Sequence, residues 1–292
     1  MKILLIGATG QLGGDLVRNN PGHDIVAPAR DVLDLSRPQD FAGVLADLNP
    51  NLVINCAAFH NVPKCETDPA EAFAINHTAM RDLARCCESR AIRLVTFSTD
   101  MVFGGERNTP WSETDTPCPL QTYGISRLAG EFAVLSVSPA RATIIRTCGL
   151  YGRSGAKSKG GNFVDGRIAD ALAGKRIQMA SEQIIAPTST DDLSKAVFSL
   201  IAHKSFSAGI YHLVNEGSCS WYEFTLEIVK YANPAAEVVP VDLGGITGGM
   251  RRPLYSVLGN NKARALGVAM RPWKDALADY LRGKYPQRIS VN

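Results

Sequence analysis

Long apolar runs are missing from this sequence of 292 residues, and so is a strong surplus of either charge. No stretch approaches the roughly 20 consecutive apolar residues that a membrane-spanning helix needs. The net charge of +3 is small, and the basic residues are spread along the chain, which argues against a nucleic-acid surface. We therefore expect a globular chain that binds neither a membrane nor a nucleic acid.

Cysteine patterns that indicate a metal site or a disulfide framework are absent as well. The seven cysteines are odd in number and show neither metal-ligand spacing nor a C-x-x-C pair, although Cys86 and Cys87 are adjacent. Cysteines without such a pattern usually serve as small apolar residues, and they are typical of proteins in a reducing compartment. The sequence therefore predicts no metal site and a cytoplasmic location.

Short apolar runs rich in β-branched residues do occur, and they alternate with segments of helical periodicity, such as QLGGDLVRN and AEAFAINHTAMRDLARCCESR. This alternation predicts an α/β fold with a doubly wound parallel sheet, which needs helices on both faces and right-handed crossovers. The runs predicted as its strands are KILLIG, DIVAPA, NLVINCA, RLVTFST and ATIIRT.

The regular alternation ends near residue 150, where YGRSGAKSKGGNF predicts a mobile loop. Beyond it, the helix APTSTDDLSKAVFSLIAH, the strand GIYHLVN and further short elements are expected to cap the carboxyl edge of the sheet. The tail PQRISVN is predicted to fray. Two domains follow: residues 1–150, to which later segments return, and residues 151–292, a smaller α/β lobe that would bind substrate.

The turn after the first predicted strand is rich in glycine and opens a helix. Glycine is needed where a chain turns sharply, where a phosphate approaches the backbone, and where a helix packs tightly on a strand. The N–H groups of such a turn can bind a pyrophosphate, so the motif predicts a Rossmann-type dinucleotide site; a plain structural turn is the alternative. Its predicted cofactor-binding residues are Gly7, Thr9, Gly10, Gln11, Leu12 and Gly13.

The second predicted strand ends in Arg30, where an NAD-selective site usually offers a carboxylate to the adenosine ribose. An arginine there favours the 2′-phosphate of NADP(H), although Asp31 beside it leaves NAD(H) open. Asp34 and Leu35 follow where a carboxylate and a backbone group would hold the adenine edge. A helix N-cap is the other explanation of Asp34.

Two later strand ends should meet this turn at the carboxyl edge of the sheet. Ala57 and Ala58 are small enough to let a cofactor lie against the backbone, although close packing explains them equally well. Thr99 ends the fourth strand with a hydroxyl that can orient a carbonyl group. The sequence therefore places a reacting group near Thr99.

Tyr123 and Arg127 are i, i+4 neighbours on one face of the next predicted helix. A tyrosine gives its proton to a developing alkoxide if its pKa falls from about 10 toward neutrality, and a fixed cation lowers it. A stacked surface pair is the alternative explanation of this spacing. The predicted catalytic residues are Thr99, Tyr123 and Arg127.

From end to end, the chain resembles the dTDP-4-dehydrorhamnose reductases, within the extended short-chain dehydrogenases/reductases. The resemblance rests on GATGQLG, NCAA, STDMVFGG, WSETD, TYGISRLAGE, APTSTDDL and RRP. It implies that Thr99 and Asp100 contact the sugar, that Tyr123 donates the proton, and that residue 127 holds the nicotinamide ribose. With the glycine-rich loop around it, the same pattern favours Arg252 as a diphosphate contact. The implied cofactor contacts are Gln11, Leu12, Asp34, Leu35, Ala57, Ala58 and Phe97.

Several positions depart from the pattern of that family. Arg127 stands in place of a lysine, which keeps the charge but changes the shape and hydrogen-bond geometry of the cation. Met101 and Gly149 replace an aromatic residue and a tryptophan of the sugar pocket. Tyr255 and Val257 replace the asparagine and arginine of the nucleotide-sugar clamp.

The leading hypothesis is an NADP(H)-dependent reductase of a nucleotide-linked 4-keto-6-deoxy sugar, and a homodimer would be ordinary for this class. Arg127 and Gly149 motivate the rival, an NADP(H)-binding protein without turnover, similar to the regulatory subunit of methionine adenosyltransferase. A nucleotide-sugar epimerase, which would recycle a tightly held NAD, is the third alternative.

Overall fold

The computed structural model describes residues 1–155, 161–247 and 249–286, and within them strands and helices alternate as predicted. A six-stranded parallel sheet forms the centre, in the order β10-β5-β4-β3-β1-β2. The fold class is confirmed as α/β. The sheet strands are β1 (Lys2–Ile6), β2 (Asp24–Val26), β3 (Leu52–Asn55), β4 (Arg93–Thr99), β5 (Ala142–Thr147) and β10 (Gly209–His212).

Helices cover both faces of the sheet, and alternate residues of β1 show how. Ile3 and Leu5 pack against the helices α1 and α8, whereas Leu4 and Ile6 pack against α2 and α5 on the other face. All four are buried, and each such side chain stabilises the fold by roughly 1.5–3 kcal/mol. The helices are α1 (Gln11–Arg18), α2 (Phe41–Leu48), α3 (Val62–Thr67), α4 (Pro69–Phe73), α5 (Ala79–Glu88), α6 (Thr122–Val137), α7 (Phe163–Leu172), α8 (Thr190–Ala202), α9 (Trp221–Ala232), α10 (Asn261–Ala265) and α11 (Trp273–Lys284).

Two segments expected to cap the carboxyl edge belong to the sheet layers instead. β10 pairs in parallel with β5 and becomes an edge strand, and α8 packs against α1. The reason is burial, because Leu193, Val197 and Leu200 of α8 are fully buried in the core cluster of that face. Periodicity predicts a helix and a strand here, but it does not say which surface they cover.

A smaller core joins α7, α9 and α11 in the second half of the chain. Phe224 lies at its centre, with ring centroids 5.7 Å from those of both Tyr151 and Trp273. The division into residues 1–150 and 151–292 stays a prediction. Short strands pair around this core: β6 (Leu150–Tyr151) with β9 (Thr188–Ser189), β7 (Ile177–Ala180) with β12 (Val238–Val241), β8 (Ile184–Ile185) with β11 (Cys219–Ser220), and β13 (Ile246–Thr247) with β14 (Met250–Arg251).

The helical run predicted after the third strand is interrupted by a π-helical turn at Ala74–Thr78, between α4 and α5. There α6 comes very close, since a Cβ added at Gly130 would lie 2.0 Å from the Asn76 carbonyl oxygen. A π-turn widens the helix by one residue per turn and often marks a functional site. Its polar residue Asn76 is 1% exposed and faces the site described below.

The remaining expectations concern membrane spans, metal sites, cysteines, the loop near residue 150 and the C-terminal tail. Within the described residues, no helix is long and apolar enough to cross a membrane, and no cluster of side chains could hold a metal ion. The seven cysteines are free thiols. Of the predicted mobile loop, residues 156–160 lie outside the described residues, as do residues 287–292 of the predicted tail.

Candidate active site

The glycine-rich turn runs from β1 into α1, and backbone crowding explains its glycines. Gly7 has a φ of +84°, in the left-handed region that favours glycine. A Cβ at Gly13 would lie 2.2 Å from the Gly7 carbonyl oxygen. Gly10 begins α1 without a side-chain cap from any described residue, so N–H groups of the first turn remain open to an outside acceptor. This cradle fits a pyrophosphate group.

The other residues predicted in the turn differ in exposure. Thr9 is exposed, whereas Gln11 is half-buried, and its Oε1 is buried without a hydrogen-bond partner among the described residues. Leu12 is 6% exposed and packs into the core on the α1 face, so a contact from Leu12 would come from its backbone. The turn therefore offers mainly backbone groups.

The second strand ends at Val26 rather than at Arg30, and the loop after β2 presents Arg30 and Asp34 as an ion pair. Arg30 Nε donates to Asp34 Oδ2 at 2.7 Å, and Asp34 Oδ1 accepts from the Ser36 backbone N–H at 2.9 Å. These donors outweigh partial burial and lower the pKa of Asp34. The Arg30 side chain is 85% exposed and free to meet a phosphate, whereas Leu35 is buried. Arg37, which sequence reasoning missed, donates to the carbonyls of this loop.

The end of β3 lies directly beside the glycine turn. A Cβ at Gly7 would meet the Ala57 backbone nitrogen at 3.0 Å, and Ala57 N–H donates to Asn55 Oδ1 at 3.1 Å. Ala57 and Ala58 are half-buried at this edge, as a cofactor surface requires. Phe97 of β4 is 8% exposed and packs into the same core cluster as Leu12, behind that edge.

Thr99, the last residue of β4, and Asp100, which follows it, share a dense hydrogen-bond network. Thr99 Oγ1 donates to Asp100 Oδ1 at 3.0 Å, while Asp100 Oδ2 accepts from Cys148 Sγ at 3.0 Å and Ser256 Oγ at 2.6 Å. Burial raises the pKa of Asp100, and these donors oppose that rise. The Asp100 carboxylate therefore holds the Thr99 hydroxyl in place, and the sugar contact predicted for Asp100 stays a prediction.

Tyr123 and Arg127 lie one turn apart on α6, beside Thr99. Burial raises the pKa of Tyr123; the Arg127 cation lowers it, the Asp100 carboxylate raises it, and a hydrogen bond with Thr99 lowers it. The net direction is upward, opposite to the lowering expected from the sequence, because burial outweighs one neighbouring cation. A tyrosine of raised pKa stays protonated at neutral pH, which is the form that a proton donor needs.

Asn76 is a residue of the site that sequence reasoning missed. Its Oδ1 accepts from the Phe59 backbone N–H at 2.9 Å and lies 3.5 Å from Arg127 Nη1. Its Nδ2 donates to the Phe59 carbonyl at 2.9 Å and to Ser126 Oγ at 3.1 Å. Asn76 thus ties the loop after β3 to α6. An asparagine inside an apolar helical pattern was the available signal, since buried amides need partners.

Arg252 follows the β13–β14 hairpin and reaches the same region from far along the chain. Burial lowers the pKa of Arg252, and the Asp100 charge opposes this. Its Nε is buried without a hydrogen-bond partner in the described part of the chain. The following segment is fixed by Ser256 on Asp100 and by Trp111 Nε1, which donates to the Tyr255 carbonyl at 3.1 Å. Arg252 is thus placed to pair with an anionic ligand beside Thr99.

Three features lie at the carboxyl edge of the parallel sheet. They are the phosphate cradle at the start of α1, the end of β4, and a tyrosine with a cation one helical turn along α6. Each occurs in other proteins, but together they define a nicotinamide-dependent oxidoreductase of the extended short-chain dehydrogenase/reductase class. The comparison with known proteins narrows this class to a family.

The family model described as RmlD substrate binding domain matches residues 1–285. The chain is 36% identical to a probable dTDP-4,6-dihydroxy-2-methyloxan-3-one 4-ketoreductase of Streptomyces antibioticus, over 98% of each chain. It is 32% identical to the dTDP-4-dehydrorhamnose reductase of Burkholderia thailandensis, over 95% of this chain and 97% of that one. The protein belongs to the dTDP-4-dehydrorhamnose reductase family and is an NAD(P)H-dependent oxidoreductase.

A solved structure supports the same assignment. It is a dTDP-4-dehydrorhamnose reductase from Bacillus anthracis in complex with NADP, which superposes with a TM-score of 0.89 at 33% identity. The superposition covers 97% of this chain and 99% of that one. The whole described architecture, including the returning α8 and β10, is therefore that of the family.

Proposed function

We propose that the protein reduces the keto group of a nucleotide-linked 4-keto-6-deoxy sugar with NADPH. The observation that carries the proposal is the meeting of Thr99, Tyr123 and Arg127 at the carboxyl edge of the sheet, which also holds the phosphate cradle. Relatives that match this chain along nearly its whole length are named as reductases of dTDP-linked sugars, which supports the substrate class. The NADP complex of the Bacillus anthracis relative supports the cofactor.

The residues divide the work of a carbonyl reduction among them. The glycine turn would hold NADPH, which would supply the hydride when bound, and the described residues act on the carbonyl oxygen. Tyr123 transfers its phenolic proton to the oxygen that gains negative charge, and solvent returns the proton later. Thr99 hydrogen-bonds the carbonyl oxygen, and the Arg127 cation stabilises the phenolate that Tyr123 briefly becomes. The ketone is thereby reduced to an alcohol.

The substrate's diphosphate is assigned to Arg252. Its buried Nε, which has no partner among the described residues, would otherwise cost stability, because a buried donor without an acceptor is unfavourable. A guanidinium pairs well with phosphate oxygens. Around the sugar, Gly149 has a φ of +54°, which disfavours any larger residue there. The sugar stereochemistry and the nucleotide base stay open.

Arg30 is proposed to select NADPH through the 2′-phosphate. Replacing Arg30 by alanine is expected to raise the KM for NADPH roughly tenfold and to leave the KM for NADH nearly unchanged, because only NADPH carries this phosphate. Initial rates with both cofactors measure the effect. Arg176→Ala, which removes an exposed arginine paired with Glu237 in the C-terminal layer, is the matched control. An equal loss with both cofactors would contradict the assignment.

The central test is NADPH oxidation with dTDP-4-keto-6-deoxy sugars, followed by absorbance, for the natural protein and for Arg127→Lys. Turnover by the natural protein is expected, since Arg127 keeps the positive charge of the family's lysine. NADPH binding is measured separately by calorimetry. Binding without turnover, rescued by lysine, would replace our proposal with the regulatory-protein alternative, and sugar inversion without net NADPH consumption would replace it with the epimerase.

Location and assembly complete the proposal. We assign the protein to the cytoplasm, in keeping with seven free thiols and a biosynthetic reductase's need for NADPH. The homodimer stays a prediction, which size-exclusion chromatography with light scattering tests directly. The only partner that the proposal requires is the nucleotide-sugar substrate.

A further inference from the structure

A small cavity lies behind Arg127, between β4 and α6. Its volume is about 10 Å³, close to the smallest that holds one water molecule. Its walls are buried residues of the sheet and of two helical segments. They are Asn76, Met80, Thr96, Phe97, Ser98, Arg127, Gly130, Glu131, Val134 and Ile144.

Two of the cavity's polar atoms have no partner. Within the described residues, Arg127 Nε and Ser98 Oγ are buried and make no hydrogen bond. Ser98 is 6% exposed and Arg127 is 8% exposed, so bulk water does not satisfy either atom. Leaving such groups unpaired is unfavourable, and most buried polar groups in proteins are satisfied by protein or ordered water.

The other polar groups at the cavity are already engaged. Asn76 is bonded to Phe59 and Ser126, and the Glu131 carboxylate receives bonds from Arg146 at 2.6 to 3.1 Å. These groups fix the walls, and carboxylate oxygens can accept further bonds. The orphaned pair, the Ser98 hydroxyl and the Arg127 Nε–H, is what remains to be bridged.

We propose that one ordered water molecule occupies this cavity, accepts from Arg127 Nε–H, and exchanges a hydrogen bond with Ser98 Oγ. Ser98 thereby acts as a positioning residue, because the water holds the guanidinium at Nε while Nη1 contacts Asn76 Oδ1. The inference rests on the proposed function only for its catalytic consequence. The water site itself stands on the cavity and the two unpartnered atoms.

This water-mediated contact requires arginine at position 127. A lysine has one terminal nitrogen and no Nε–H, so it offers the cavity no inward donor. The planar guanidinium, by contrast, has donors on two sides, and holding the inward one restricts rotation of the outward ones. Ser98 and Arg127 should therefore be coupled in this protein, and the coupling should vanish when residue 127 is lysine.

The kinetic test is a double-mutant cycle of Ser98→Ala and Arg127→Lys, with Ser136→Ala on the exposed side of α6 as the control. Ser98→Ala is expected to lower kcat about fivefold in the natural protein, roughly the effect of one lost hydrogen bond, and less than twofold beside lysine. The alkaline limb of the pH profile of kcat for Ser98→Ala should move to higher pH, because a loosely held Arg127 lowers the pKa of Tyr123 less. Equal effects in both backgrounds would overturn the proposal.

A high-resolution crystal structure of the full chain tests the water site without any activity. We expect electron density for a water molecule about 3 Å from both Arg127 Nε and Ser98 Oγ. In the Ser98→Val variant, that density should be lost or displaced. A dry cavity, or a direct bond between the two side chains, would refute the inference. If the natural protein turned over no sugar, the proposed function would fail, and this crystallographic result would still decide the water site.

Discussion

Tyr123→Phe is expected to lower kcat by roughly 10²–10⁴-fold, which is the usual contribution of a general acid in a positioned site. The substitution removes only the phenolic oxygen, so the ring keeps its packing on α6. Affinity for NADPH should change less than about twofold, since the phosphate cradle is elsewhere on the edge of the sheet. Stopped-flow turnover and calorimetric NADPH binding measure the two quantities.

The control for this prediction is Tyr222→Phe, which makes the same chemical change on α9 in the C-terminal layer. It should leave kcat within about twofold of the natural value, as surface substitutions away from a site commonly do. A Tyr123→Phe variant that kept full turnover would remove Tyr123 from the mechanism. The Thr99 hydroxyl, which shares the hydrogen bond with Tyr123, would then be the next candidate for the proton path.

Gly13→Ala should abolish measurable NADPH binding or raise its dissociation constant by two orders of magnitude or more. The added Cβ would meet the Gly7 carbonyl oxygen at 2.2 Å and the Ala8 Cα at 2.7 Å, and neither is a flexible side-chain end. α1 must therefore move away from the turn, which takes its N–H groups out of reach of the phosphates. Overpacking of this kind typically also costs roughly 1–3 kcal/mol of stability.

The matched control is Gly43→Ala in the exposed part of α2, where an added Cβ meets nothing within 4 Å. Alanine is preferred over glycine in a helix by about 1 kcal/mol, so this variant should be slightly more stable and bind NADPH normally. Thermal unfolding with and without NADPH separates the two effects. A Gly13→Ala protein that NADPH stabilised as strongly as the natural one would show that the turn is not the cofactor cradle.

Local pattern was enough to predict the first five strands and the doubly wound α/β class. Each strand in a parallel sheet is buried on both faces, so its sequence is a short apolar run. KILLIG and RLVTFST can therefore be recognised as strands without knowing which strands they pair with. The same holds for the glycine turn, because Gly7 and Gly13 meet within a few residues of each other. Spacing on one helix likewise paired Tyr123 with Arg127.

Other features depend on contacts between distant parts of the chain. The placement of β10 beside β5 is one, and the approach of Gly130 to the π-turn at Asn76 is another. The hydrogen bonds of the Asp100 carboxylate with Cys148 and Ser256 are a third. None of these leaves a periodic signal, because each depends on which surface a neighbouring element covers.

The sequence by itself thus determined the alternation of strands and helices, the glycine-rich turn, and the spacing of Tyr123 and Arg127 on one helix, all of which depend on residues close together in the chain. Tertiary structure alone decided the environment of those groups. Burial turned the pKa of Tyr123 upward, and within the described residues it left Arg127 Nε and Ser98 Oγ without hydrogen-bond partners in the lining of one cavity. Desolvation and hydrogen-bond satisfaction depend on the whole surroundings of an atom, and packing between remote segments creates those surroundings.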